Sequence, residues 1–465
     1  MKKEYFKGLQ LVCDSKIIDK KHTTANIVVG KPTKKQKVLT LDCPWEGDHS
    51  CYKTVIKDGG KYKMYYLAWY IFKTAEEIKV CYAESEDGVN WVKPNLGIKE
   101  YMGFKDNNII LDNGDVPGNN IDNFFLFKDE NPTCPKEERY KALVNSESNK
   151  LRYYYSADGV RFNDGGDLAL DGVFDSLNVG FYDAKLKKYV IYLRGVHDSP
   201  FDENDHYYRD IRRAESEDFK TWTTPVRLNY IDNKNDFQLY TNNVIRYPEN
   251  PDLLVGFPTR YCMRPEWTDN YEHLPAKENR LMRMKNHHPR IGLAVTDCLF
   301  MVSEDGYNFD LYNEAFLTPG IETDKNWVYG DCYPAHGIFE ENDSEYAFYM
   351  GQNHHMRVPC EIYKYTIRKD GFVYYRAPFE EKQVVFNKKY YRGGKIFVNF
   401  ATSAYGHIKI VIESGKQKAE SCEMFGDSVK REISIPQEEL AKFIGKRIKI
   451  TVTMQDANLY SIIFG

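Results

Sequence analysis

Six acidic residues stand in short polar segments that each lead into a run dense in β-branched and aromatic residues. They are Glu46 and Asp48 in PWEGDHSCYKTVIKDG, Asp122 and Asp129 in GNNIDNFFLFKDENP, Asp175 in GVFDSLNVGFYDAK and Asp331 in NWVYGDCYPAHGIFE. Carboxyl groups converging from such segments could work on a glycosidic bond, where one acid protonates the leaving oxygen and a second acts on carbon or on water. Asp175 and Asp331 have small or apolar neighbours, and desolvation there would raise a carboxyl pKa toward the value an acid needs. The plain alternative for each is a turn-capping aspartate, and Asp129 in FKDENP fits that alternative best. Glu46, Asp175 and Asp331 form the expected catalytic trio, with Asp331 or Glu46 as general acid and Asp175 as the partner carboxylate.

Aromatic and polar residues flank these acids. Trp45, Tyr240, Trp327 and Tyr329 offer faces on which a sugar ring can stack, or else belong to the core. Asp48, Asn242, Arg260 and Gln352 complete the expected substrate-binding set. Arg260 in GFPTRY, like Arg209 and Asp210 in YYRDIRR, could instead be half of a buried ion pair between blades. His354 and His355 are adjacent, and neighbours on a strand point to opposite faces. With His336 as their one further candidate ligand, neither a metal nor a cofactor is expected. The ten cysteines show no CxxC pair and read as reduced, mostly buried thiols.

The elements that must position these residues follow from an internal repeat. A Ser–acidic–Gly/Phe–aromatic motif recurs as AESEDGVNW (83–91), YYSADGVRF (154–162), AESEDFKTW (214–222) and MVSEDGYNF (301–309), with a degenerate copy in TIRKDGFVYY (366–375). Strand-like runs such as KYKMYYLAWY and KYVIYLRG precede the copies. Spacings of roughly 60 to 90 residues suit one four-stranded blade plus insertions, so five copies imply an all-β, five-bladed β-propeller. The Asp-Gly step is expected to turn the chain between the two outer strands, leaving chemistry to the segments that enter the innermost strands. After about residue 385, alternating apolar and polar residues predict a C-terminal β-sandwich. The expected domains are 1–385, the catalytic propeller, and 386–465, the sandwich.

Composition narrows the partners. A net charge of −4 with no basic stripe argues against nucleic acid, and no run reaches the ~20 apolar residues of a membrane span. The N-terminal residues lack the apolar core of a signal peptide, so a cytoplasmic protein is expected, or a secreted one if a leader has been removed. An aromatic content of 15% suits half-buried strands and sugar platforms. The expected partner is an oligo- or polysaccharide.

The ordered motifs PWEG, KDGGKYKMYY, SEDGVNWVKPNLGI, NNII, FKDENP, ERYKAL, FDSLN, RDIR, LYTN, GFPTRY and DANLYS resemble a group of bacterial proteins similar to the N-terminal domain of glycoside hydrolase family 32. That resemblance spans nearly the whole chain. It implies a five-bladed propeller of the clan that also holds family 43, and hydrolysis of arabinofuranosides or fructofuranosides by three acids at the channel mouth. Two departures stand out. Tyr52 lies near the point where those families place the first-blade aspartate, so Glu46 rests on its position and on the PWEG motif. Gln352 stands where the family pattern carries Glu, and an amide cannot deliver a proton as a carboxylic acid does. A furanoside hydrolase is the leading expectation. A catalytically silent carbohydrate-binding propeller is the first alternative. A glycoside phosphorylase, with phosphate held by Arg209, Arg212 and Arg260, is the second.

Overall fold

The computed structural model describes residues 3–70, 78–118, 121–146, 150–203, 205–286, 288–352 and 358–465. Five mostly antiparallel sheets, each starting from a short inner strand, make the blades of a β-propeller; of the blade strands among the described residues, only the edge strand Asn229–Tyr230 of blade 4 pairs in parallel. The inner strands are Thr54–Asp58, Asp122–Lys128, Val179–Asp183, Val244–Tyr247 and Phe339–Glu340. Second strands such as Lys61–Ala68 and Lys188–His197 are sandwiched between neighbouring blades, and Tyr65 through Ala68 and Val190 through Leu193 are fully buried. Their near-continuous apolar runs, in place of a two-residue alternation, reflect burial on both faces.

The repeated motif is the turn from the third strand to the outer edge. In blade 1, Ser85 Oγ accepts the Gly88 N–H at 2.9 Å, and Asp87 accepts the N–H groups of Val89 and Asn90 at 2.8 Å. Ser156/Asp158 and Ser303/Asp305 repeat this pattern in blades 2 and 4. A tyrosine from the adjacent blade seals two of these turns, with Tyr349 Oη donating to Gly88 O and Tyr192 Oη to Gly306 O. Gly88 has φ 70°, and a Cβ there would stand 2.5 Å from the Tyr349 hydroxyl, so the position needs glycine twice over.

The fifth copy is degenerate for a structural reason. After Cys360–Arg368 the chain turns at Asp370 and leaves the propeller, and Thr33–Leu41 from the N-terminal part supplies the outer strand of blade 5. Asp370 is buried at this exit, accepting bonds from the Tyr247 and Ser461 hydroxyls and the Asn399 amide.

Beyond the exit lies an eight-stranded β unit. Its spine is the pairing of Ile396–Ser414 with Arg447–Phe464, whose register breaks between Thr402 and His407. Alternate residues of both strands, including Ile408, Ile410, Ile412, Ile448, Ile450 and Val452, form a separate core. Val373–Ala377 and Lys382–Tyr390 pair with the last strand, so the expected 385/386 boundary falls inside a strand. Gly8–Leu11 and Asn26–Val29 join the same sheet from the other end of the chain. No helix among the described residues is long and apolar enough to cross a membrane.

Candidate functional site

The residues that enter the five inner strands surround the propeller axis. Asn243 Oδ1 meets His336 Nδ1 at 3.0 Å, and the His336 ring lies edge-on to Phe125 at 4.9 Å. Burial pushes His336 down to about 3, so it is a neutral polar group of the channel wall.

Beside this channel tyrosines form a continuous cluster, a platform of rings in which Tyr52, Tyr240, Tyr261 and Tyr329 are buried and Tyr333 is half-buried. Tyr52 stacks with Tyr333 at 6.1 Å, Tyr333 with Tyr240 at 5.7 Å, and Tyr240 with Tyr261 at 6.0 Å. Tyr329 meets Tyr240 edge-on and donates to its hydroxyl at 2.7 Å. Tyr52 has φ 48°, an unfavourable conformation for an aromatic residue, which its packing must hold in place. The guanidinium of Arg194 lies 4.6 Å from the Tyr240 ring centre, and that of Arg209 lies 4.7 Å from Tyr261.

Two carboxyl groups belong to this platform. Asp175 is exposed, with its side chain 57% accessible, and accepts from Arg194 Nη1 at 3.1 Å. Asp122, half-buried at the start of the blade 2 inner strand, accepts the Asn123 N–H at 2.7 Å. Burial pushes the Asp122 carboxyl up to about 6, and the Asp175 charge adds to the rise, against the opposing Asn123 N–H and Arg194. One carboxyl thus keeps its proton up to about pH 6, beside a second held by a buried arginine. Opposed roles of this kind are what acid and base partners need.

Of the expected catalytic residues, Asp175 belongs to the mouth and the other two make contacts elsewhere. Glu46 is fully buried, with Oε1 accepting from Tyr66 Oη and Oε2 from Cys43 N and Lys93 Nζ, all within 2.8 Å. Lys93 follows the outer strand of blade 1 and also meets Thr40 O in the outer strand of blade 5. Glu46 is therefore a junction between blades, and the PWEG motif marks the junction, not the channel. Asp42, Cys43 and Glu46 do bring three ligand-type atoms together, and the Lys93 ammonium, bonded to all three residues, takes the cation's place. Asp331 is buried in the loop ahead of blade 5, where its carboxylate accepts the Val328 N–H at 3.1 Å. Burial raises it to about 7, against the Val328 and Trp327 N–H groups and the Arg280 charge. It organises its own loop.

The expected binding residues divide the same way. Tyr240 lies at the centre of the platform. Asn242 sits beneath it, donating to Leu177 O and Tyr192 O and so joining blades 3 and 4. Trp45 is core, its indole N–H held by Asn108 at 2.7 Å. Arg260 is taken by a two-pronged ion pair with Asp297 on the neighbouring strand of the same blade, not by a pair between blades. Trp327 donates to Gly320 O, and the Asp48 backbone N–H bonds to Trp69 O. Gln352 accepts from Lys34 Nζ at 2.7 Å and lines an outer cavity of about 470 Å³ with Phe316, Ile321 and Tyr365. His354 and His355 lie outside the described residues.

Sequence reading missed Arg194, Tyr52, Tyr261 and Tyr333 as site residues and passed over Asp122. For four of them the signal is position: the inner-strand approaches (Tyr52, Asp122, Tyr333) and the far half of a second strand (Arg194) reach the same face of the propeller, while Tyr261 comes from the added strand Thr259–Met263.

No family model matches the chain, and no curated protein matches it. Among solved structures it is similar to an N-acetylgalactosamine deacetylase from F. plautii, at 12% identity and TM-score 0.48, over 74% of this chain and 96% of that one. A glycosyl hydrolase from Bacteroides ovatus aligns at 12% identity and TM-score 0.45, over 74% and 96%. A family 43 arabinoxylan arabinofuranohydrolase from Bacillus subtilis aligns at 10% identity and TM-score 0.43, over 91% and 97%. At that level of likeness none of their activities transfers to this chain.

Proposed function

We propose that the protein is a glycosidase whose acid and base partners are Asp122 and Asp175. The observation that carries this reading is the pairing of a half-buried carboxyl raised to about 6 with an exposed, arginine-held carboxylate on a tyrosine platform. Asp122, protonated below about pH 6, would give its proton to the leaving oxygen, and Asp175 would act on the anomeric carbon or on water. Tyr333, the half-buried ring of the cluster, would stack against the sugar ring, with Tyr240 packed behind it. The furanosidic linkage implied by the sequence resemblance is the first to assay.

Reducing-sugar release from arabinans and fructans, with pyranosidic polymers alongside, tests the proposal. Asp122→Asn and Asp175→Asn should each lower kcat by roughly 10²- to 10⁴-fold. Unchanged turnover in both variants would remove these residues from the chemistry. Tyr52, standing at the channel where the related pattern has an acid, favours a second reading, a propeller that binds saccharide without turnover. Saccharide binding with no release from any polymer would select it.

A further inference from the structure

Three arginines reach the tyrosine platform from separate elements. Arg194 lies in the second half of blade 3's second strand, Lys188–His197, Arg209 is the second residue of its third strand, Tyr208–Ser216, and Arg290 lies in the short helix Pro289–Leu293 of the blade 4 insertion. Arg194 is 2% exposed, and its Nε and Nη2 have no hydrogen-bond partner. Arg209 is 7% exposed, gives Nη1 to Gln238, and leaves Nε unpartnered. Arg290 is half-buried, and although burial works against its charge, the nearby Tyr329, Tyr240, Tyr261 and Asp175 hold the guanidinium protonated.

Leaving a buried guanidinium N–H unmet is costly. The unmet pair on Arg194 has a particular geometry: Nε and Nη2 form one edge of the guanidinium, the edge that grips a planar carboxylate through two parallel bonds. Asp175 occupies only Nη1 and fixes the fork with that edge free. Three guanidinium charges stand against the two carboxyl groups Asp122 and Asp175, and Asp122 keeps its proton below about pH 6. The platform therefore holds uncompensated positive charge beside stacked rings.

We propose that the channel mouth binds an oxyanion, the carboxylate of a uronic acid or a phosphate group, between Arg194, Arg209 and Arg290. For the sugar that carries the oxyanion, the proposal rests on the glycosidase reading above. The oxyanion site itself stands on the arginines alone.

Titration calorimetry at pH 7 with galacturonate, inorganic phosphate and the neutral hexose galactose tests it, on the whole protein and on Arg194→Met and Arg290→Gln. An oxyanion probe should bind at least roughly tenfold more tightly than galactose. Arg194→Met should weaken that binding roughly tenfold to a hundredfold, and Arg290→Gln by about fivefold or more. Arg290 lies on a surface helix, so its variant keeps the test open if Arg194→Met fails to fold. Galacturonate ahead of phosphate assigns an acidic sugar, and phosphate ahead of galacturonate assigns a phosphate group. Phosphate binding without any saccharide binding supports the oxyanion site and counts against the glycosidase reading. Neither oxyanion probe binding more tightly than galactose, or oxyanion binding indifferent to Arg290→Gln, overturns the site and leaves the glycosidase reading standing. Silence from all three probes overturns it too.

Discussion

Replacing Asp122 by Asn should make the protein more stable as it disables the proposed chemistry. The carboxyl rises from an ordinary 3.8 to about 6 in the folded chain, so the folded state holds this proton more tightly than the unfolded one. Stability then falls as pH rises from about 4 to about 6 and is level above that. A rise of about 2 pKa units amounts to roughly 3 kcal/mol against the ionised form, and most of it develops between pH 4 and pH 7. An amide cannot ionise and escapes the penalty. At roughly 2.1 cal/mol/K of unfolding entropy per residue, the Asp122→Asn variant of a propeller this size should melt about 3 to 4 °C above the parent at pH 8, and nearly level with it at pH 4. Calorimetric melts of the two proteins at both values read the difference. A gap that is absent at pH 8, or the same at both, would refute the claim that desolvation and Asp175 act on this carboxyl.

Three further outcomes follow from the contacts. Glu46→Ala leaves the Lys93 ammonium without its buried partner and should cost about 3 kcal/mol or more in denaturant unfolding, with saccharide or oxyanion binding unchanged. Asp331→Asn should flatten the fall in stability that the parent shows as pH rises from about 4 through about 7, where its raised carboxyl ionises, and melts across that range at constant ionic strength will show it. Tyr247→Phe takes a hydroxyl from the buried Asp370 at the exit from the propeller and should cost roughly 1 to 3 kcal/mol, read by denaturant titration.

The blades were legible because their marker is local. Ser85, Asp87 and Gly88 bond to one another within four residues, and the spacing of such turns counts the blades directly. The site was less legible because membership depends on which end of a strand faces the mouth. Asp122 and Asp129 are seven residues apart at opposite ends of one inner strand. Asp122 reaches the platform, while Asp129 is taken by Lys141 and Tyr189 in the blade wall. Glu46 misled because its anchor, Lys93, is far along the chain. Arg194 stayed hidden inside the apolar run KYVIYLRG, where an arginine reads as a strand end, and only the packing of blade against blade brings Tyr240 beneath it.

The pairing of Thr33–Leu41 with Cys360–Arg368, and of Gly8–Leu11 with the last strand, sets an order of events during synthesis. A ribosome delivers the N-terminal strands first and their partners more than 300 residues later, so these early segments wait unpaired through nearly the whole of translation. Blades 1 to 4 can form as they emerge, since their strands are neighbours in sequence. The ring is latched only at the end, when blade 5 meets the waiting strand. Any nascent chain stalled before that point presents bare β-edges at both ends of the arc, the surface on which chains join one another. The cost of this arrangement therefore falls on the interval before release, when the protein depends on whatever shields its N-terminal strands.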